Sequence, residues 1–361
     1  MQQIVRRPVV GGVAIAGASM MIAMSPTGGT ALDVQQRPVR LTSGESDLIQ
    51  DITIDFVRHG QSFDNLNNII GTVAPGPTLT PEGYAEANAI AATLQQEYGS
   101  SIAGIYDSGL LRTEETAAPL AALLNMPVQD LSGLNEISAG ILEGSQQNDL
   151  TGLLYLAAPL AWTLGFYSVP ELGSSDYNGM AFESYFGDAV QTMYDGTISG
   201  GTGNTDIAFS SAAAIMTWTM MNVDNPDPLL MLEDPLTNTS QVVIQGNPTD
   251  GWTLISWDGM PVPEASLTTE LFVDFRDLIT APQMASYEIW QALLTLDPTT
   301  ISQAIDTGFE NVSAAITQFP VAVIDDIVGA IGTGTQSVGA DAFGSLSTEL
   351  STLLTDAMTS I

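Results

Sequence analysis

The run Ile52-Thr53-Ile54-Asp55-Phe56-Val57 is strand-forming and ends directly in Arg58-His59-Gly60-Gln61-Ser62, and strand-like and helix-like stretches alternate from there to Trp257. Thr80 as N-cap and Pro81 at the first helical position start a helix that runs to about Glu97. Ile102 to Tyr106 is a short strand, Arg112 to Leu124 an Ala- and Leu-rich helix, and Ile207 to Phe209 a strand that feeds a helix from Ala212 to about Met221. Gln241 to Ile244 and Trp252 to Trp257 predict a hairpin around Asn247-Pro248-Thr249-Asp250-Gly251. Strands that alternate with helices predict a layered α/β domain. Residues 145–205 are less regular and rich in Gly, Tyr and Ser. That composition suits either a cap insertion over a site or a long surface excursion.

Charge narrows the choice of function. The chain has 41 acids against seven cations and a formal net charge of −34. All seven cations are arginines, four of them before residue 41, so only Arg58, Arg112 and Arg276 serve the rest. A basic face for nucleic acid is excluded. An anion site on so acidic a chain must work through short contacts, because long-range steering opposes it. With no cysteine, disulfides, thiolate catalysis and Cys-zinc sites are excluded together.

The ends carry expectations of their own. Arg6-Arg7 precede an apolar stretch from Val9 to Met24, and small residues lead to Ala31. Residues 1–31 are therefore expected to be a bacterial export signal, and the mature protein secreted or held at the cell envelope. Residues 32–50, with Pro38, are expected to be a linker, followed by the main domain over 51–280. In the helical extension over 281–361, Ser286 to Leu296, Ile301 to Ile316 and Leu346 to Met358 have helix-spaced apolar residues, whereas Val328 to Thr335 reads as flexible. These helices either pack on the parent domain or meet an envelope or protein partner.

Arg58-His59-Gly60-Gln61-Ser62 with Asn65 and Asn68 resembles the signature of the histidine phosphatase superfamily, which contains phosphoglycerate mutases and many phosphatases. Leu79-Thr80-Pro81-Glu82-Gly83 is similar to the family's segment before its first long helix. Ser108 to Thr113 with Thr116-Ala117 is similar to its second arginine motif, and Leu134-Asn135-Glu136 with Gly140 and Glu143-Gly144 to its acidic motif. The resemblance is close over about residues 51–145 and fainter to about 265. It implies a three-layer αβα sandwich with a mixed, mainly parallel central sheet. The function implied is hydrolysis of a small phosphorylated substrate, with no cofactor and no metal.

Chemistry explains the residue types. A neutral imidazole at the carboxyl end of a strand can attack phosphorus and divide one displacement into two, so His59 is the candidate nucleophile. Arg58 and Arg112 are the candidate clamp on the phosphoryl oxygens. A cation at a helix start, as at Arg112, opposes the helix dipole unless an anion binds there. Asn65 and Ser62 offer neutral contacts, and Glu136, by resemblance, would protonate the leaving group and then activate water. Arg276, in Asp274-Phe275-Arg276-Asp277, is expected to be a surface or rim ion-pair residue.

One departure from the family matters most. The family places a second histidine, usually followed by glycine, after a later strand, and here Ser211-Ala212 stands at that point. His59 is the chain's single histidine, so no other alignment supplies the missing one. Serine donates a neutral hydrogen bond but no imidazolium charge, a loss of roughly 3 to 4 kcal/mol in the transition state. The expectation is therefore a phosphomonoesterase of reduced efficiency. The alternatives are an inactive protein that binds a phosphorylated ligand, or a scaffold for the C-terminal helices.

Overall fold

The computed structural model describes residues 50–147, 150–173, 177–200 and 202–334. The expected export signal, nearly all of the expected linker and the helix expected at Leu346 to Met358 lie outside them. The strand β1 (Ile52–Arg58) leads to a short helix α1 (Phe63–Asn67), then α2 (Pro81–Glu97), β2 (Ile102–Asp107), α3 (Leu111–Leu124) and β3 (Val128–Asp130). Next come α4 (Leu150–Thr163), α5 (Gly179–Gly200), β4 (Thr205–Ser210), α6 (Ala212–Asn222) and α7 (Leu230–Glu233). The hairpin β5 (Gln241–Asn247) and β6 (Gly251–Trp257) is followed by β7 (Met260–Pro261), α8 (Leu267–Leu294) and α9 (Pro298–Gly334).

The seven strands form one mixed sheet in the order β3-β2-β4-β1-β5-β6-β7. β3, β2, β4 and β1 are parallel, and β5, β6 and β7 extend the sheet by antiparallel pairing. Both faces of the parallel half are covered, as parallel strands require. Side chains alternate accordingly: Val57, Ile105, Ile207 and Phe209 meet α2 and α3 through Ile90, Leu94, Ala117 and Leu120. Ile52, Ile54, Phe56 and Ala208 point to the opposite face. There Phe56 lies 5.6 Å from Phe186 of α5 and 5.8 Å from Trp218 of α6, and Phe186 stacks on Trp218 at 5.3 Å. The result is a three-layer αβα sandwich.

The region from 145 to 205 is more regular than its composition suggests. In α5 the residues Phe182, Phe186, Ala189, Val190 and Met193 are buried at helical spacing, so this helix is part of the sandwich. α4 packs beside it and turns Tyr155 inward. At the C-terminal side, Ser266 caps α8 by accepting from Thr269 N. α8 and α9 then close together through small residues: a Cβ on Gly308 would stand 3.2 Å from that of Ala285. α9 continues helical to Gly334, through most of the stretch expected to be flexible. It contains a window of mean hydropathy 1.5 that is only 6% buried, so by length and composition it could cross a membrane.

Arg276 differs from expectation. It is buried, its Nη1 donates to the Met220 and Val223 carbonyls at the end of α6, and its Nε pairs with Asp277 at 3.1 Å. The flanking acids suggested a surface pair, but the unsatisfied helix-end carbonyls recruit the guanidinium inward.

Buried acids set the pH response of the fold. Burial pushes the carboxyls of Asp55, Asp206 and Glu171 up to about 7, although Gln241, Thr197 and the Leu172 amide respectively donate to them. A carboxyl whose folded pKa is raised stabilises most below its unfolded value and loses that contribution as pH rises through the folded one. These three therefore make the fold weaker between about pH 4 and about pH 7. His59, held low, acts in the opposite sense below about 6.5, but it is a single group against several raised carboxyls. The melting temperature is expected to drop by at least about 5 °C between pH 5 and pH 8, since a domain of this size loses about 2 to 4 °C per kcal/mol. A flat or rising Tm in scanning calorimetry would contradict this assignment of buried protons.

Candidate active site

The parallel register sets Arg58 beside Ser210, and His59 N donates to Ser210 O at 3.0 Å. His59 and Ser211 therefore leave the sheet side by side at the carboxyl ends of β1 and β4. Two glycines let α2 approach this turn: a Cβ on Gly60 would be 2.7 Å from Gly83 O, and one on Gly83 would be 2.1 Å from Gln61 O. Gly60 N donates to Thr116 Oγ1 of α3, which ties the turn to that helix.

The state of the imidazole follows from its contacts. Nδ1 of His59 is 2.7 Å from Gly60 O. A carbonyl only accepts, so Nδ1 carries the hydrogen and Nε2 keeps its lone pair. His59 is 3% exposed, and burial, then Arg112 and Arg58, hold its pKa well below the usual histidine value. At neutral pH it is an uncharged ring with an available Nε2.

Two guanidiniums flank it. Arg58 donates from Nη1 to Leu236 O at 2.6 Å, and its Nε is buried without an acceptor among the described residues. Arg112, in the first turn of α3, is 3% exposed and donates from Nη2 to Ser211 Oγ at 3.1 Å. Its Nε and Nη1 are buried without acceptors among the described residues. Buried N–H donors left unpaired cost roughly 1 to 3 kcal/mol each, more on a charged group. Burial lowers the pKa of both arginines, but neither guanidinium gives up its charge, so an anion is the natural partner.

Glu136 completes the cluster. Its Oε1 accepts from Ile137 N and Ala214 N, both at 2.9 Å, and its Oε2 from Ala213 N at 3.4 Å. The carboxyl thus sits on the N-terminus of α6. Burial raises its pKa above the usual range, opposed by Arg112 and these three amides. Tyr155 donates to Ile137 O at 2.8 Å and stands beside Glu136.

Ser62 and Asn65 shape the turn. Ser62 caps α1, its Oγ accepting from Asn65 N and donating to Asn65 Oδ1. Asn65 Oδ1 also accepts from Ser62 N and from Asn238 Nδ2, which leaves the amide NH2 as its donating end. Asn238 donates to His59 O as well, at 3.0 Å. His59, Arg58, Arg112, Glu136, Asn65 and Ser211 are thus brought to one place, with Ser62 committed to the turn. Tyr155, Asn238 and the Leu236 carbonyl are additions; only Asn238, in a Thr237-Asn238-Thr239 turn, carried any local signal.

A family model described as the histidine phosphatase superfamily (branch 1) matches residues 54–258. The PE-PGRS family protein PE_PGRS11 of Mycobacterium tuberculosis (strain ATCC 25618 / H37Rv) is 54% identical over 290 residues, 78% of this chain and 49% of that protein. A 2,3-bisphosphoglycerate-dependent phosphoglycerate mutase of Thermoplasma acidophilum is 32% identical over 99 residues, 27% of this chain and 48% of that protein. The chain spans about half the length of these curated relatives. A mycobacterial glucosyl-3-phosphoglycerate phosphatase solved with VO3 is 20% identical, covers 60% of this chain and 100% of its own, and has a TM-score of 0.46.

Proposed function

The chain belongs to the histidine phosphatase superfamily, and we propose that it hydrolyses small phosphomonoesters through a phosphohistidine at His59. The observation that carries this reading is the bare Nε2 of His59 among buried guanidinium donors that have no acceptor. Nε2 attacks phosphorus in line with the ester oxygen, and the P–O bond breaks as the N–P bond forms. Arg112 and Arg58, with the Asn65 amide, hold the phosphoryl oxygens and offset their charge. Glu136, whose carboxyl burial shifts upward, gives its proton to the leaving alkoxide. The resulting carboxylate takes a proton from water, whose oxygen attacks phosphorus and returns the electron pair to Nε2. Nδ1–H stays on Gly60 O throughout and stabilises the positive ring of the intermediate.

Ser211 supports the expectation of reduced rate. Its Oγ accepts from Arg112, so its own hydrogen is free to reach a phosphoryl oxygen, but as a neutral donor. The same residue favours a second reading, a phospho-ligand binder without turnover. An activated aryl phosphate distinguishes the two. Measurable wild-type turnover, raised up to about 100-fold or more in Ser211→His, supports the hydrolase. No wild-type turnover together with retained vanadate binding supports the binder. Absence of both would overturn the phosphate site itself.

A further inference from the structure

A cavity of about 320 Å³ lies between α5, α6, the β5–β6 turn, α8 and α9. Its wall includes the C-terminal part of α6, whereas Ser211 caps that helix's N-terminus, so it is separate from the phosphate site. Trp218, Met221, Trp252 and Met284 supply an apolar lining. Asp274 of α8 and Asp326 of α9 also line it, and their carboxyls face each other.

These two acids are unusual among the chain's many. Asp274 is 7% exposed, and Oδ2 of each is buried with no donor among the described residues. Burial, then the facing Asp326 carboxyl, push Asp274 up to about 7, above its ordinary range. Arg276 lies on the same cavity, but its Nε and Nη1 are engaged by Asp277 and the end of α6. Trp218 adds a further orphan, since its Nε1–H is buried without an acceptor among the described residues. Buried polar atoms without partners are costly, and here three belong to residues around one space.

We propose that this cavity binds an organic amine, whose ammonium group lies between Asp274 and Asp326 and whose apolar body rests on Trp218, Met221, Trp252 and Met284. The ammonium N–H groups satisfy both Oδ2 atoms and supply the positive charge that Arg276 does not. A body of about six carbons suits a space at the lower end of ordinary ligand pockets. A bare divalent ion suits it less well, since among the described residues no group of three carboxylates or histidines could hold a metal.

Hexylamine is the probe, with hexanol and hexanoate as neutral and anionic comparators, read by tryptophan fluorescence and calorimetry on the full chain. The expected result is hexylamine binding at least tenfold tighter than hexanol and hexanoate. That preference should disappear in Asp274→Asn/Asp326→Asn. Met284→Trp, which fills the apolar wall and keeps both acids, should weaken hexylamine at least tenfold. Melting curves establish that each variant is folded, and should the double variant fail to fold, Met284→Trp alone decides. No preference for hexylamine in the wild type, or binding unchanged in the folded variants, overturns the proposal.

Discussion

His59→Ala is expected to lower turnover of an activated aryl phosphate by at least about 10⁴-fold, an effect of the size seen when a covalent nucleophile is deleted. The variant should also form no acid-labile phosphoenzyme. The expectation rests on arithmetic as well as geometry: the chain has a single histidine and no cysteine, so no neighbouring imidazole or thiolate can replace it. The structural cost is small by comparison. Among the described residues the side chain makes one hydrogen bond, to Gly60 O, and its removal also relieves burial of a polar ring beside two guanidiniums. Stability and activity should therefore separate, with a melting temperature near that of the wild type. His59→Gln gives a second control, because its amide can still donate to Gly60 O but presents no nucleophilic nitrogen. Retention of more than about a tenth of the wild-type rate in either variant would remove His59 from the reaction.

How much of this was legible beforehand differs between site and frame. Arg58, His59, Arg112 and Ser211 could be read because each ends, follows or opens a regular element, and a parallel sheet collects such positions at one edge, whereas Glu136 lies in a loop and was legible only through the resemblance to the family's acidic motif. Tyr155 could not be, and Asn238 had only the local signal of its Thr237-Asn238-Thr239 turn, since both reach the site through packing of α4 and of the turn before β5. The periodicity of α5 was present at Phe182, Phe186, Ala189 and Met193, but Gly, Tyr and Ser around it lowered its contrast. The glycines at 329, 332 and 334 suggested a break in α9 that the helix overrides. Arg276 shows the limit most plainly: neighbouring acids in sequence say nothing about carbonyls at the end of α6, which arrive from more than fifty positions away.

Arg112→Ala should cost about 100- to 1000-fold in kcat/KM, or roughly 3 to 4 kcal/mol of transition-state stabilisation. It should cost more than loss of Arg58. Arg58 already spends Nη1 on Leu236 O, whereas Arg112 keeps both Nε and Nη1 buried and unpaired, and alone fixes Ser211 Oγ. The pH profile gives a readout that mere loosening of structure would not. Arg112 lowers the pKa of His59, and it also opposes the upward shift of Glu136. Its removal raises both. The acidic limb requires neutral His59 and the alkaline limb requires protonated Glu136, so both limbs of kcat/KM move to higher pH in the variant. Arg112→Lys should restore the positions of the limbs, because charge returns. It should not restore the rate, because an ammonium cannot contact Ser211 and two phosphoryl oxygens in the plane of a guanidinium fork. An Arg112→Ala enzyme within threefold of wild type, or one whose limbs stay in place, would mean that the buried guanidinium serves the fold and leaves the phosphoryl group to other donors.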